Sequence, residues 1–162
     1  MNGLDATLRA LHHGERSLAQ DLSHAAERHR ADHDVHHVAT DLARWSREHT
    51  RRLADIGHRH GLDLAGPHQD GPGVLGALRE KAAEAVAGRP EPALLLLRDL
   101  RELHLSAVGN SLYWEMLGQA AQALRDHPLL ALVSDCHPQT LRQMRWTNTM
   151  VKELSAQALS SV

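Results

Sequence analysis

Two polar side chains interrupt the apolar stripes of the first two predicted helices, and their types suit either metal binding or an ion pair. Glu15 falls on the stripe of the first helix and His49 on that of the second. If the turn is centred near residues 31–32, residue i faces roughly residue 63 − i, which places Glu15 level with Glu48 and His49. A buried carboxylate and a buried imidazole need each other or a metal, because an unpaired buried charge is costly. The candidate metal ligands are therefore Glu15, His49 and Glu48.

A histidine cluster around the first turn is a second group of candidate ligands. The chain has 14 histidines, and four of them, His29, His33, His36 and His37, have spacings of three and four residues that could form a metal patch on one helix. The turn interrupts the helix at this point, so the four side chains need not share a face. We expect a solvated histidine-rich corner.

The remaining reactive side chains show no catalytic pattern. Cys136, the single cysteine, stands next to His137, but no base or oxyanion arrangement is legible around it. Phosphate-binding glycine loops, Ser-His-Asp patterns and cysteine-pair zinc motifs are all absent from the sequence. The sequence therefore favours a protein that is not an enzyme, with Trp45, Trp114 and Trp146 as core residues.

The elements that position these groups are predicted to be helices. Hydrophobic residues make up 42% of the 162 residues, aromatic residues only 2%, and Phe is absent, so Leu, Ala and Val must build the core, which favours helices over strands. A first helix is predicted over about residues 4–30, and a second from an N-cap at Asp32 to Gly61. Their apolar stripes are Leu4, Leu8, Leu11, Leu18, Leu22 and Ala25, and then Val35, Val38, Leu42, Trp45, Leu53 and Ile56.

Two further long helices are predicted in the second half of the chain. Pro92 suits the first turn of the third helix. Asp126 or His127 is expected to cap the fourth helix, and Pro138 predicts a kink or a restart near Asp135. The third helix carries a heptad seam, which consists of Leu96, Leu100, Leu103, Ala107, Asn110, Trp114, Leu117, Ala121 and Leu124.

The connection between the second and third long helices has about 30 residues, far more than a simple turn requires. Residues 61–73 have the composition of a loop, and Val74 to Ala87 is predicted to form a shorter helix. Because a dozen or so extended residues could span ~40 Å, the third helix can start parallel to the second. The predicted fold is all-α, an up-down-down-up four-helix bundle with an extra helix in the crossover, in one domain over residues 1–162. An up-down bundle with a decorated loop is the alternative.

In its helix lengths, its crossover and the positions of Glu15 and His49, the chain resembles the ferritin-like superfamily. The dimetal site of that family takes a Glu from the first helix, a Glu-x-x-His from the second, and the same set from the third and fourth. The resemblance includes the Tyr113-Trp114 and Trp146 regions and covers nearly the whole chain. It implies iron or another divalent metal as the ligand of an intact site.

Most of the dimetal ligands are missing from this chain. Ser46 stands three residues before His49, where the family has Glu, and Glu48 is followed three residues later by Arg51. The corresponding positions of the third and fourth helices are neutral or cationic: Ala107, Asn110 and Ser111, and then Gln139, Thr140, Arg142 and Gln143. Two iron ions need several carboxylates to offset their charge, so we expect a degenerate member of the family for which no cofactor is favoured.

Composition excludes several classes of partner. The formal net charge of −2, from 18 Lys and Arg against 20 Asp and Glu, gives no strong field for nucleic acid or anionic lipid. The first residues lack a signal-peptide pattern and no apolar run approaches ~18 residues, so we expect neither secretion nor a membrane span, and a cytoplasmic location. The long helix surfaces favour a homodimer or another protein partner.

Two functions follow from these residues. The first, which we favour, is a non-catalytic ferritin-like bundle that acts as a binding or assembly module. The second is a metal-binding, iron-dependent oxidoreductase that uses Glu15, His49 and Glu48 with ligands from another subunit. A carrier of apolar ligands is a third option, and it requires a cavity between the helices.

Overall fold

Four α-helices dominate the structure, a computed structural model that describes residues 2–65 and 91–160. They are α1 (Gly3–Arg28), α2 (His33–Arg59), α3 (Pro92–Leu124) and α4 (His127–Ser160), and no strand occurs in these ranges. The all-α prediction is confirmed. The crossover helix predicted from Val74 to Ala87 lies outside the described residues. None of the described helices is long and apolar enough to span a membrane.

Local sequence signals set the ends of the helices. The Asp32 side chain accepts a hydrogen bond from the Val35 amide at 3.2 Å, and Asp126 accepts one from the Leu129 amide at 3.1 Å. Each aspartate thereby satisfies an amide that has no partner within the helix. After α2, Gly61 adopts a φ of +77°, a conformation that glycine reaches without steric cost. The predicted N-cap at Asp32 and the predicted stop at Gly61 are confirmed.

Helix α4 passes through Pro138 without interruption. Of the kink or restart predicted near Asp135, the restart is therefore wrong, and the kink stays a prediction. Proline removes the amide that would bond to the carbonyl four residues earlier, at Ser134. Both Ser134 and Pro138 lie on the exposed side of α4, where water can take the place of the missing amide donor.

Each helix packs against two others. The chain neighbours α1 and α2 are in contact, as are α3 and α4, and in addition α1 contacts α3 and α2 contacts α4. Near one end, the Arg28 Nη1 of α1 lies 2.9 Å from the Asp99 Oδ2 of α3. Near the middle, the Gln143 Nε2 of α4 donates to the Ser46 Oγ of α2 at 2.9 Å. These cross-helix pairs fix which parts of the four helices lie at the same level.

The core is made mainly of leucine and alanine, as the composition predicts. The seam of α3 is buried from Leu96 to Ala121, whereas Leu124, at the end of the helix, is exposed. Trp114 is the largest fully buried side chain, while Trp45 and Trp146 are only partly buried against the core. A fully buried leucine stabilises a fold by about 1.5–3 kcal/mol, so these seams provide most of the force that holds the bundle together.

One end of the bundle is held by a buried charge cluster. Asp99 of α3 accepts a hydrogen bond from the His29 Nε2 at 2.6 Å and pairs with Arg28. Burial alone would raise the pKa of Asp99, but the His29 hydrogen bond and the Arg28 charge outweigh it and hold that pKa below its usual value. The carboxylate therefore stays ionised and ties the end of α1 to the start of α3.

Candidate functional site

Glu15 and His49 meet in the middle of the bundle. The His49 Nδ1 lies 3.3 Å from the Glu15 Oε1, and the two side chains are 1% and 0% exposed. The predicted pairing across the first hairpin is confirmed. Both groups are removed from solvent, so their charges must be balanced by the protein itself.

Glu48, the third candidate ligand, lies elsewhere. Its side chain is on the exposed face of α2 and pairs with Arg51, with Oε1 2.6 Å from Nη2. The hydrogen bond from Arg51 lowers the pKa of Glu48. Adjacent residues of a helix point about 100° apart, so Glu48 cannot share the inward direction of His49. The structure does not bring Glu48 to the buried pair.

Side chains from the other two helices close the pair. The Trp114 Nε1 of α3 donates to the Glu15 Oε1 at 3.0 Å, and the Thr140 hydroxyl of α4 lies 3.5 Å from the same oxygen. On the far side of the imidazole, the His49 Nε2 donates to the Gln139 Oε1 at 2.7 Å. The Trp114 ring stands edge-to-face with the His49 ring at a centroid distance of 5.8 Å. All four helices therefore contribute to one polar site.

His49 is held in its charged form. Burial by itself lowers the pKa of His49, but interactions with the Cys136 sulfur and the Glu15 carboxylate outweigh burial and raise that pKa to about 10. An imidazolium carries a proton on both ring nitrogens, which fits donation from Nε2 to Gln139 and an ion-pair contact of 3.3 Å between Nδ1 and the Glu15 Oε1. At neutral pH His49 is therefore a buried imidazolium next to the Glu15 side chain.

A polar layer extends from the pair across the bundle. Gln143 donates both to the Leu42 carbonyl at 3.1 Å and to the Ser46 hydroxyl at 2.9 Å. Four buried atoms in this region have no hydrogen-bond partner among the described residues: the Glu15 Oε2, the His49 Nδ1, the Asn110 Nδ2 and the Gln143 Oε1. Unsatisfied buried polar atoms are costly, so these four atoms are where a small polar guest would be stabilised most.

Asn110 reaches this layer because α1 has a glycine opposite it. A Cβ built on Gly14 would lie 2.2 Å from the Asn110 Oδ1, which is far too close. Gly14→Ala is therefore expected to lower the free energy of unfolding by about 1 kcal/mol, since an overpacking cost of about 1–3 kcal/mol exceeds the helix-propensity gain of about 1 kcal/mol. Urea unfolding followed by circular dichroism measures the change.

The matched control for Gly14→Ala removes the clashing amide. In an Asn110→Ala background the added methyl meets no amide oxygen, so Gly14→Ala is expected to be neutral or stabilising by up to about 1 kcal/mol. An equal loss of stability in both backgrounds would contradict the close contact between Gly14 and Asn110.

The donor set does not fit a two-metal centre. Within residues 2–65 and 91–160, no group of three or more His, Cys, Asp or Glu side chains is arranged to hold a metal ion. A metal-ligating histidine must be neutral, and with a pKa of about 10 His49 would have to lose a proton before it could bind a metal at neutral pH. Asn110 and Gln143 supply amides where a dimetal site needs carboxylates.

The buried thiol has different neighbours from those that the sequence suggested. Cys136 lies 3.9 Å from the Arg52 Nη1 and interacts with His49, while Arg52 also pairs with Asp135 at 2.9 Å. The adjacent His137 turns away, and its Nε2 lies 2.9 Å from the Ser111 hydroxyl. Cys136 is almost completely buried, so its sulfur belongs to the surroundings of the ion pair.

The histidine-rich turn does not form one group. His29 is buried against Asp99, so the expectation of a fully solvated corner is wrong for this residue. His36 is half-buried and donates from Nδ1 to the Ala26 carbonyl at 2.7 Å. His33 and His37 are exposed. The end of α1 draws His29 inward because Asp99 of α3, remote in sequence, provides a buried anion.

Comparison with known proteins gave no match: no family model, no curated protein and no solved structure corresponds to this chain. The ferritin-like resemblance therefore rests on the pattern of helices and on the positions of Glu15 and His49.

Proposed function

We propose that this chain is a non-catalytic, ferritin-like helical bundle that acts as a binding or assembly module. One observation carries the proposal. The chemistry-bearing pair that the described residues place at mid-bundle, Glu15 with His49, is fully buried and closed by Trp114, Thr140 and Gln139. Groups so enclosed have no route to a substrate, and their contacts link all four helices. Their chemistry suits holding a bundle together.

The proposal includes the up-down-down-up order of the helices. Arg28, the last residue of α1, pairs with Asp99 near the start of α3, and Glu15 bonds to Trp114 farther along α3, which supports an antiparallel α1 and α3. Ser46 with Gln143 and Arg52 with Asp135 support an antiparallel α2 and α4 in the same way. With antiparallel hairpins, α2 and α3 then run parallel, which is the arrangement of ferritin-like bundles.

A cytoplasmic location belongs to the same proposal. Cys136 is a free thiol, as is usual for proteins of reducing compartments.

Elemental analysis of the untagged protein, expressed in iron- and manganese-supplemented medium, tests the non-catalytic function. We expect metal well below one equivalent per chain and no oxygen- or peroxide-dependent turnover. Two bound irons per chain, with turnover, would overturn the proposal.

A metal-binding protein is the second candidate function, and one atom favours it. The Glu15 Oε2 is buried and accepts no hydrogen bond from a described residue, so its lone pairs are available to a cation. Iron or another divalent metal is the class that the family resemblance implies, with further ligands from a second chain. In that case Glu15→Gln abolishes metal binding, whereas the control Glu48→Gln, on the exposed face, leaves it intact.

A further inference from the structure

Helix α3 is apolar on two opposite faces. One face is the buried seam, and the other carries four residues that we call the outer seam: Leu105, Gly109, Leu112 and Met116. The spacings of four, three and four residues place them in one stripe that follows a heptad repeat. Leu105, Leu112 and Met116 are 50%, 58% and 48% exposed, where a surface helix ordinarily carries polar residues. A contiguous exposed apolar stripe of this kind marks a contact surface.

Gly109 lies in the middle of the outer seam and has no steric role among the residues that the structure describes. A Cβ built there meets no atom within 4 Å, and the backbone is not in the left-handed region. Glycine inside a helix is less stable than alanine, so its presence needs another reason. A glycine without a steric role of its own suits the close approach of another helix.

Two charged residues beside the outer seam are placed so that they could pair with the same two residues on a second copy of the chain. Arg101 and Glu115 lie seven residues before and after Val108, on the same side of the seam. Within the described residues Arg101 pairs only with its neighbour Glu102, on the surface, and Glu115 forms no ion pair. If a second copy packs antiparallel on the outer seam, Arg101 of each copy faces Glu115 of the other.

We propose that a second copy of this chain packs on the outer seam, with α3 antiparallel to α3. A two-fold axis between Val108 and Gly109 places Leu105 of one copy level with Leu112 of the other, and Arg101 within one residue, ~1.5 Å along the helix, of the level of Glu115. Two-fold symmetry uses the same surface twice, so one stripe completes the interface. The inference rests on the proposed assembly function and names the surface and the occupant.

Sedimentation equilibrium of the full chain over a wide range of concentrations tests the interface. The wild type is expected to dimerise, and Leu112→Glu is expected to raise the dissociation constant by at least about 100-fold, because two apolar contacts become buried charges. Leu141→Glu is the matched control: Leu141 is 44% exposed but lies on α4, so its substitution leaves the dissociation constant unchanged within error. Thermal unfolding confirms that both variants fold.

Charge reversal tests the antiparallel register. Arg101→Glu and Glu115→Arg are each expected to raise the dissociation constant by about 10-fold, and the double variant to restore it, because the pairs re-form with opposite sign. A monomeric wild type, or a dimer that tolerates Leu112→Glu, overturns the inference. So does a double variant weaker than both single ones.

The two proposals can fail separately. A metal-free monomer overturns the α3 interface and leaves the non-catalytic bundle standing. A dimer that binds two irons and turns over overturns the proposed function and leaves the interface standing.

Discussion

Glu15→Gln is expected to lower the free energy of unfolding by about 3–5 kcal/mol, the usual cost of removing one partner from a buried ion pair. Gln keeps an oxygen that can accept from the Trp114 indole, so the loss reports the charge opposite His49 and not the lost hydrogen bond. Urea unfolding at neutral pH, monitored by circular dichroism, measures it.

The double variant Glu15→Gln/His49→Gln decides the origin of that loss. Without the imidazolium, the missing carboxylate no longer matters, so the double variant should be more stable than the sum of the single effects predicts, by at least about 2 kcal/mol. Glu48→Gln, on the exposed face of α2, is the matched control and should cause no measurable loss. Purely additive effects of Glu15→Gln and His49→Gln would disprove the coupling.

The pH dependence of stability has the second largest expected effect. The pKa of His49 is raised from 6.5 to about 10, because its interactions with Cys136 and Glu15 outweigh its burial. A raised pKa means that the folded state binds the proton more tightly than the unfolded chain does. The stabilisation is therefore fully present below pH 6.5 and is lost as the pH rises toward 10. At about 1.4 kcal/mol per pKa unit, the loss approaches about 5 kcal/mol.

Denaturant unfolding at pH values between 6 and 10.5 measures this loss, with His49→Gln as the reference. We expect the wild type to lose stability over this interval by several kcal/mol more than His49→Gln does. The ring protons of His49 in NMR spectra should titrate far above pH 6.5, the ordinary pKa of histidine. Parallel pH profiles for the wild type and His49→Gln would contradict a buried imidazolium.

Local patterns predicted the parts of the fold that depend on local physics. Asp32 and Gly61 mark helix ends because capping and positive φ are properties of a few adjacent residues. The pairing of Glu15 with His49 also followed, because a short turn fixes the register of an antiparallel hairpin.

Contacts between the two hairpins could not be predicted in the same way. The bonds from Trp114 to Glu15 and from His49 to Gln139 depend on the register of α3 and α4 against α1 and α2, which a connection of about 30 residues does not fix. The sequence signal was present, since Trp114 and Gln139 lie beside the polar positions of their helices. The sequence did not show how far along α1 and α2 the helices α3 and α4 are placed, and therefore which residues lie at the same level.

The effect of Pro138 on its helix depends on whether the neighbouring backbone is exposed to solvent. A proline inside a helix predicts a break because one carbonyl loses its donor. The carbonyl in question belongs to Ser134 on the exposed side, so the helix continues. The proline by itself does not indicate which side of α4 faces water.

The polar site at mid-bundle determines how the four helices are positioned along one another. Apolar seams of leucine and alanine are uniform, and a helix that slides by one turn, about 5.4 Å, meets much the same surface again. The Glu15–His49 pair has no such second position, because a shift of α1 by one turn would separate Glu15 from His49, Trp114 and Thr140, its partners on the other three helices. A single polar layer thus fixes the axial register of all four helices, much as one buried asparagine selects the register of a coiled coil.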